Sequence, residues 1–160
     1  MNVRISISNR QTVLEIGSSL ERLFRRAIRC VFADAPPMVT VHPPWRRVEI
    51  DLAIVDDAMS REVNAEFLRH DYATDVISFA LDDDGDTLIS ELVVNAEFAI
   101  RRAPEYSWLA QHELLLYAVH GSLHLIGLDD HSPADVAAMR AAERHVLERF
   151  IHVPPESATG

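Results

Sequence analysis

The sequence predicts a single α+β domain, with a mixed sheet of about four strands and about five helices, one of them a metal-binding helix that ends in a glycine turn. Three observations carry the fold class. Four short segments alternate apolar and polar residues, longer segments space their apolar residues for helices, and the helices crowd into the second half of the chain. With 160 residues, 48% of them hydrophobic, one core can form without disulfides.

Val3, Ile5 and Ile7 alternate with Arg4, Ser6 and Ser8, which opens the chain as a strand. Ser18 or Ser19 then caps a helix whose Leu20, Leu23, Phe24, Ala27, Ile28 and Val31 share one stripe. Pro36, Pro37, Pro43 and Pro44 punctuate a loop, and Val48, Ile50, Leu52 and Ile54 form a second strand with one buried face. A short helix is expected over 60–68. Segments 76–81 and 87–94 form a hairpin through the Asp-Gly turn of DDDGD. Its acids serve the turn, because the rest of a calcium-loop pattern is absent. Helices follow over 96–103 and 108–126, the second stopped by Gly127. Ser132, Pro133 and Asp135 supply the N-cap, first-turn proline and acidic third position of a last helix reaching Phe150. The domain spans 1–152, and the small, polar and proline residues of 153–160 read as a poorly ordered tail.

Cys30 is the only cysteine, so no internal bridge can form. There is no charged-then-apolar leader and no apolar run of about 18 residues, so the expected location is the cytoplasm, with no membrane partner. A net charge of −10 argues at first against nucleic acid, but binding answers to local fields. All fifteen basic residues are arginines. Guanidinium suits phosphate, yet a biased genome explains missing lysines equally well, so composition selects no function. Arg22, Arg25, Arg26 and Arg29 lie opposite the apolar stripe of the first long helix. They read either as a phosphate track or as a solvated face.

Chemistry concentrates in VHGSLHLIGLDDH. On a helix, His120 and His124 are one turn apart with Cβ atoms about 6 Å from each other. Two such imidazoles can reach one ion at about 2.0–2.1 Å. After Gly127 the chain can turn back and bring His131 to the same ion, and three protein ligands with an open position describe a catalytic zinc site. A bare pair at this spacing is more often ordinary histidine; the glycine stop and the Asp-Asp-His that follow raise the metal reading. His42, His112, His145 and His152 lack that context. Peptidases with H-E-x-x-H carry a glutamate base after the first histidine, and here that position is Gly121.

HGSLHLIG followed by Asp and His resembles the signature of the YbeY family, H-G-x-L-H-L-x-G-x-D-H. A second block, NAEFLRHDYATDVISF over 64–79, is similar to the family's L-N-x-x-[YF]-…-D-x-P-T-D-V-L-S-F. The resemblance runs from about 48 to about 145. It implies a zinc-dependent single-strand endoribonuclease, a hydrolase of phosphodiester bonds acting in ribosomal RNA maturation and ribosome quality control. It also implies one zinc ion per chain, held by His120, His124 and His131. Ribosomal RNA would be the partner, with ribosomal subunit proteins beside it and no DNA.

Two departures stand out. The family's third histidine lies ten residues after the first; here Asp130 holds that spacing and His131 follows it. His131 is favoured, because imidazole is the better zinc ligand and an exposed loop absorbs one extra residue cheaply. The family's arginine after the aromatic is here Leu68, which leaves Arg69 or His70 to assist phosphate. The catalytic candidates are therefore His120, Arg69 and Glu91, the last as an acid or a supporting group of the site. Glu91 reads equally as a solvent-facing strand residue. The competing functions are a zinc peptidase or amidase, which Gly121 opposes, and a non-catalytic ribosome-associated module. In that module Asp130 and His131 would both close the zinc site.

Overall fold

The computed structural model describes residues 1–155. Four strands, β1 (Asn2–Asn9), β2 (Arg47–Val55), β3 (Val76–Asp83) and β4 (Thr87–Asn95), form one sheet in the order β1-β2-β4-β3. The first three neighbours in that order run parallel, and β3 pairs antiparallel with β4. Five helices complete the fold: α1 (Ser18–Ala33), α2 (Asp57–Leu68), α3 (Ala96–Arg102), α4 (Ala110–Leu125) and α5 (Pro133–Leu147). This is the α+β domain that the alternation and the helical stripes predict.

Alternation assigns the two faces of the sheet. Val3 and Ile5, Val48 to Ile54 on every second residue, and Leu88, Leu92 and Val94 point into the main core beneath α1 and α4. Ala53, Val55, Ile77 and Val93 point the other way and pack with Met59 and Val63 of α2. Helix α4 touches α1, α3, α5 and the sheet. It is apolar on nearly every side, as expected of a helix buried in the middle of a domain.

Several ends differ from their sequence-based expectation. Gly17 takes the N-cap of α1 with no side-chain cap, so neither Ser18 nor Ser19 caps it. Helix α2 begins earlier than 60 because the Asp56 side chain accepts from the Met59 N–H. At the hairpin, Asp84 Oδ1 accepts from the N–H groups of Asp86 and Thr87, so the acids do serve the turn. Ser132 and Asp135 form the predicted capping box. Past residue 152, Val153 packs against the core and Arg144 donates to the Pro154 carbonyl. The rest of the expected tail, 156–160, lies outside the described residues. No helix among the described residues is long and apolar enough to cross a membrane.

Candidate metal centre

Helix α4 reaches the sheet unusually closely at one point. A Cβ on Gly121 would lie 2.8 Å from Leu92 Cδ2 and 3.1 Å from Val76 Cγ2. Glycine at 121 therefore lets the helix rest on β3 and β4. The helix then ends in a Schellman turn. Gly127 has φ 108°, its N–H donates to the His124 carbonyl at 3.0 Å, and the Leu128 N–H donates to the Leu123 carbonyl at 3.0 Å.

That turn orients a ring. The Leu128 carbonyl sits 2.9 Å from Nδ1 of His124. A carbonyl can only accept, so Nδ1 carries the proton and Nε2 keeps its lone pair in the neutral ring. The other ring is held from α5, where Oε2 of Glu143 lies 2.9 Å from Nδ1 of His120. Glu143 is only 14% exposed. Burial acts to lower the His120 pKa, but the hydrogen bond and charge of Glu143, with Asp130 and Asp75 behind it, raise it overall.

Both free nitrogens face one point. Nε2 of His120 and Nε2 of His124 are 3.0 Å apart, and Oδ2 of Asp130 lies 3.5 Å from the first and 3.3 Å from the second. Three acceptors converge with no donor of their own in the neutral state. Tetrahedral coordination with bonds of about 2.0–2.1 Å sets ligand atoms about 3.3 Å apart, which matches this triangle. Carboxylate and carbonyl partners on the far ring nitrogens are the usual support of metal-binding imidazole. The three residues thus fit a metal ion.

The loop brings Asp130, and not His131, to the histidine pair. The His131 side chain is 84% exposed and its Nε2 pairs with Asp129 Oδ1 at 3.1 Å. The expectation of His131 as third partner and this geometry differ: after the Gly127 turn, Asp130 lies 3.5 and 3.3 Å from the two rings, and the His131 side chain is exposed. Glu91 is also elsewhere. It aligns with Asp51 and Phe79 on the sheet face opposite α4, so it cannot support this centre. Arg69 caps α2 in the left-handed conformation, φ 58°, on the loop leading to β3.

The arginines of α1 are engaged internally: Arg22 with Ser19, Arg25 with Glu21, Arg26 over the Phe150 ring, and Arg29 on the Val3 carbonyl. That favours the solvated-face reading. Glu143 escaped the sequence reading altogether. Its signal was an acid on the inner stripe of α5, flanked by buried Met139, Ala142, Val146 and Leu147.

A histidine pair on a buried helix, a returning carboxylate loop and a four-stranded mixed sheet define an α+β protein with a group of side chains that could hold a metal ion. The chain belongs to the endoribonuclease YbeY family, whose model matches residues 6–151. It is 48% identical over 99 residues to an endoribonuclease YbeY of Rhodopirellula baltica, a match covering 61% of this chain and 51% of that relative. It is 32% identical over 153 residues to the endoribonuclease YbeY of Moorella thermoacetica, covering 89% of this chain and 94% of the relative. The fold is similar to the solution structure of a Thermotoga maritima protein, with TM-score 0.54 and 21% identity over 92% of this chain and 91% of that one.

Proposed function

We propose that this chain is a metal-dependent endoribonuclease of ribosomal RNA maturation, holding one zinc ion with His120, His124 and Asp130. The observation that carries the reading is the triangle of three acceptors, in a chain whose relatives are named endoribonucleases. When bound, zinc supplies Lewis acidity toward a phosphate oxygen. The chain's own residues do the rest. His120 and His124 present lone pairs because Glu143 and the Leu128 carbonyl hold the protons at Nδ1. Asp130 adds one negative charge from the exposed side, leaving the remaining approach to substrate.

Two alternatives lose support. A peptidase of the H-E-x-x-H type needs a glutamate at 121 turned to its substrate, and that position is packed on Leu92 and Val76. A closed structural site needs His131 as a fourth partner, and His131 pairs with Asp129 instead. In this reading RNA is the substrate, with ribosomal proteins as partners and the cytoplasm as the location. Incubating pure protein with ribosomal RNA and with casein, each with and without chelator, tests this. Chelator-sensitive RNA cuts that vanish in His124→Ala are expected, while chelator-sensitive casein cleavage overturns the substrate.

A further inference from the structure

The motif block over 64–79 contributes no residue to the acceptor triangle, and polar side chains of α2 and β4 hold its loop. Ser60 and Asn64 on α2 and Asn95 at the end of β4 are almost fully buried. Ser60 Oγ donates to the Thr74 carbonyl at 3.1 Å and accepts from the Thr74 N–H at 3.0 Å. Asn64 Nδ2 donates to the Tyr72 carbonyl at 2.9 Å, and Asn95 Nδ2 donates to the Thr74 carbonyl at 3.1 Å. Outside, Arg61 clamps Asp71 with two hydrogen bonds of 2.7 and 3.0 Å. Buried polar groups are costly unless paired; here they are paired to hold one loop, 69–75, in one shape.

What that rigid loop displays is aromatic. Tyr72 is 55% exposed, with the His70 ring centroid 5.4 Å from its own. Phe67, 52% exposed, stacks on Phe79 at 4.9 Å on the sheet face opposite α4 and stands apart from this pair. Arg69 forms no ion pair or side-chain hydrogen bond among the described residues. The loop is continuous with the metal centre. It ends at Asp75, and the next strand residues, Val76 and Ser78, lie against Gly121, the neighbour of His120 on α4.

We propose that the 69–75 loop is a nucleobase-stacking subsite. An unpaired base beside the cleaved phosphate lies against Tyr72 and His70, and Arg69 meets the backbone. This rests on the ribonuclease reading of the neighbouring centre. Every base has a π-face, so such a platform accepts any sequence. In a duplex those faces are already stacked on one another, so the platform selects single strands. The free guanidinium gives the charge complement that an RNA strand needs and that an acidic protein surface elsewhere lacks. These features favour RNA over a docking protein.

The test is fluorescence-anisotropy binding of a mixed-sequence single-stranded RNA to the full chain carrying His124→Ala, which prevents cleavage. Adding Tyr72→Ala should weaken binding about tenfold, and Tyr72→Trp should restore it. An oligonucleotide with the same phosphates but abasic positions should bind the parent as weakly as intact RNA binds the Tyr72→Ala variant. Zinc content of Tyr72→Ala in the otherwise unchanged chain should equal that of the parent. If the parent binds RNA and Tyr72→Ala binds it equally, the subsite is overturned while the ribonuclease reading stands, and the patch passes to a protein partner. If neither this parent nor the zinc-loaded wild-type chain binds RNA, the ribonuclease reading falls and the subsite with it.

Discussion

Nδ1 of His120, on α4, lies 2.9 Å from Oε2 of Glu143, on α5, so the last helix holds the ring that the central helix carries. The contact explains why a half-buried acid interrupts the apolar stripe of α5. It also sets an expectation. Glu143→Ala should weaken zinc binding about 10–100-fold, and Glu143→Gln, which keeps an acceptor but loses the charge, should fall between. Competition with a chromophoric chelator measures this. Equal affinity in all three proteins would remove Glu143 from the site.

Gly121→Ala places a methyl 2.8 Å from Leu92 Cδ2, inside a packed contact between helix and sheet. Overpacking of this kind costs about 1–3 kcal/mol, and lifting α4 also moves both histidines. Denaturant unfolding of the metal-free chain should show the loss, and zinc affinity should fall with it. Gly121→Glu should lose fold and metal together and gain no peptidase activity. A stable, zinc-loaded Gly121→Glu protein would contradict the packing.

Glu113 sets a pH dependence. It is buried on α4, accepts from the Trp108 indole N–H at 2.8 Å, and lies near Tyr117, Asp75 and Arg102. Burial raises its pKa above the ordinary 4.5, against the opposing pull of the Trp108 hydrogen bond. The native state therefore holds this proton more tightly than the unfolded chain does. The contribution is full below the ordinary glutamate range and is lost as the pH climbs through the raised value. Glu113→Gln, which keeps an acceptor for Trp108, should remove that loss. Urea midpoints of metal-free protein, compared across about pH 4 to 7, should converge at low pH, with the variant gaining on the parent as pH rises. Parallel curves would rule the effect out.

The fold was legible because its signals are local. Alternation in Val48 to Ile54 and the stripe from Leu20 to Val31 report burial directly. The histidine pair was legible for the same reason, since four residues on a helix define a distance. The third group was not, because spacing cannot tell which of two neighbours faces inward. Ligand preference favoured His131, but the Gly127 turn and the Leu128 carbonyl on His124 leave Asp130 facing the pair. For Glu91 the parity with Val93 was visible, but not the face that α4 would cover. Glu143 lies 23 residues from His120 and meets it only through packing of α4 on α5.

The most direct test of the acceptor triangle is zinc stoichiometry and affinity in His124→Ala, Asp130→Ala and His131→Ala, measured by metal analysis and chelator competition. The wild-type chain should hold about one equivalent, since one set of ligands converges. His124→Ala should lose nearly all of it, Asp130→Ala should bind markedly more weakly, and His131→Ala should stay close to wild type. Loss of zinc in His131→Ala with full retention in Asp130→Ala would contradict the account.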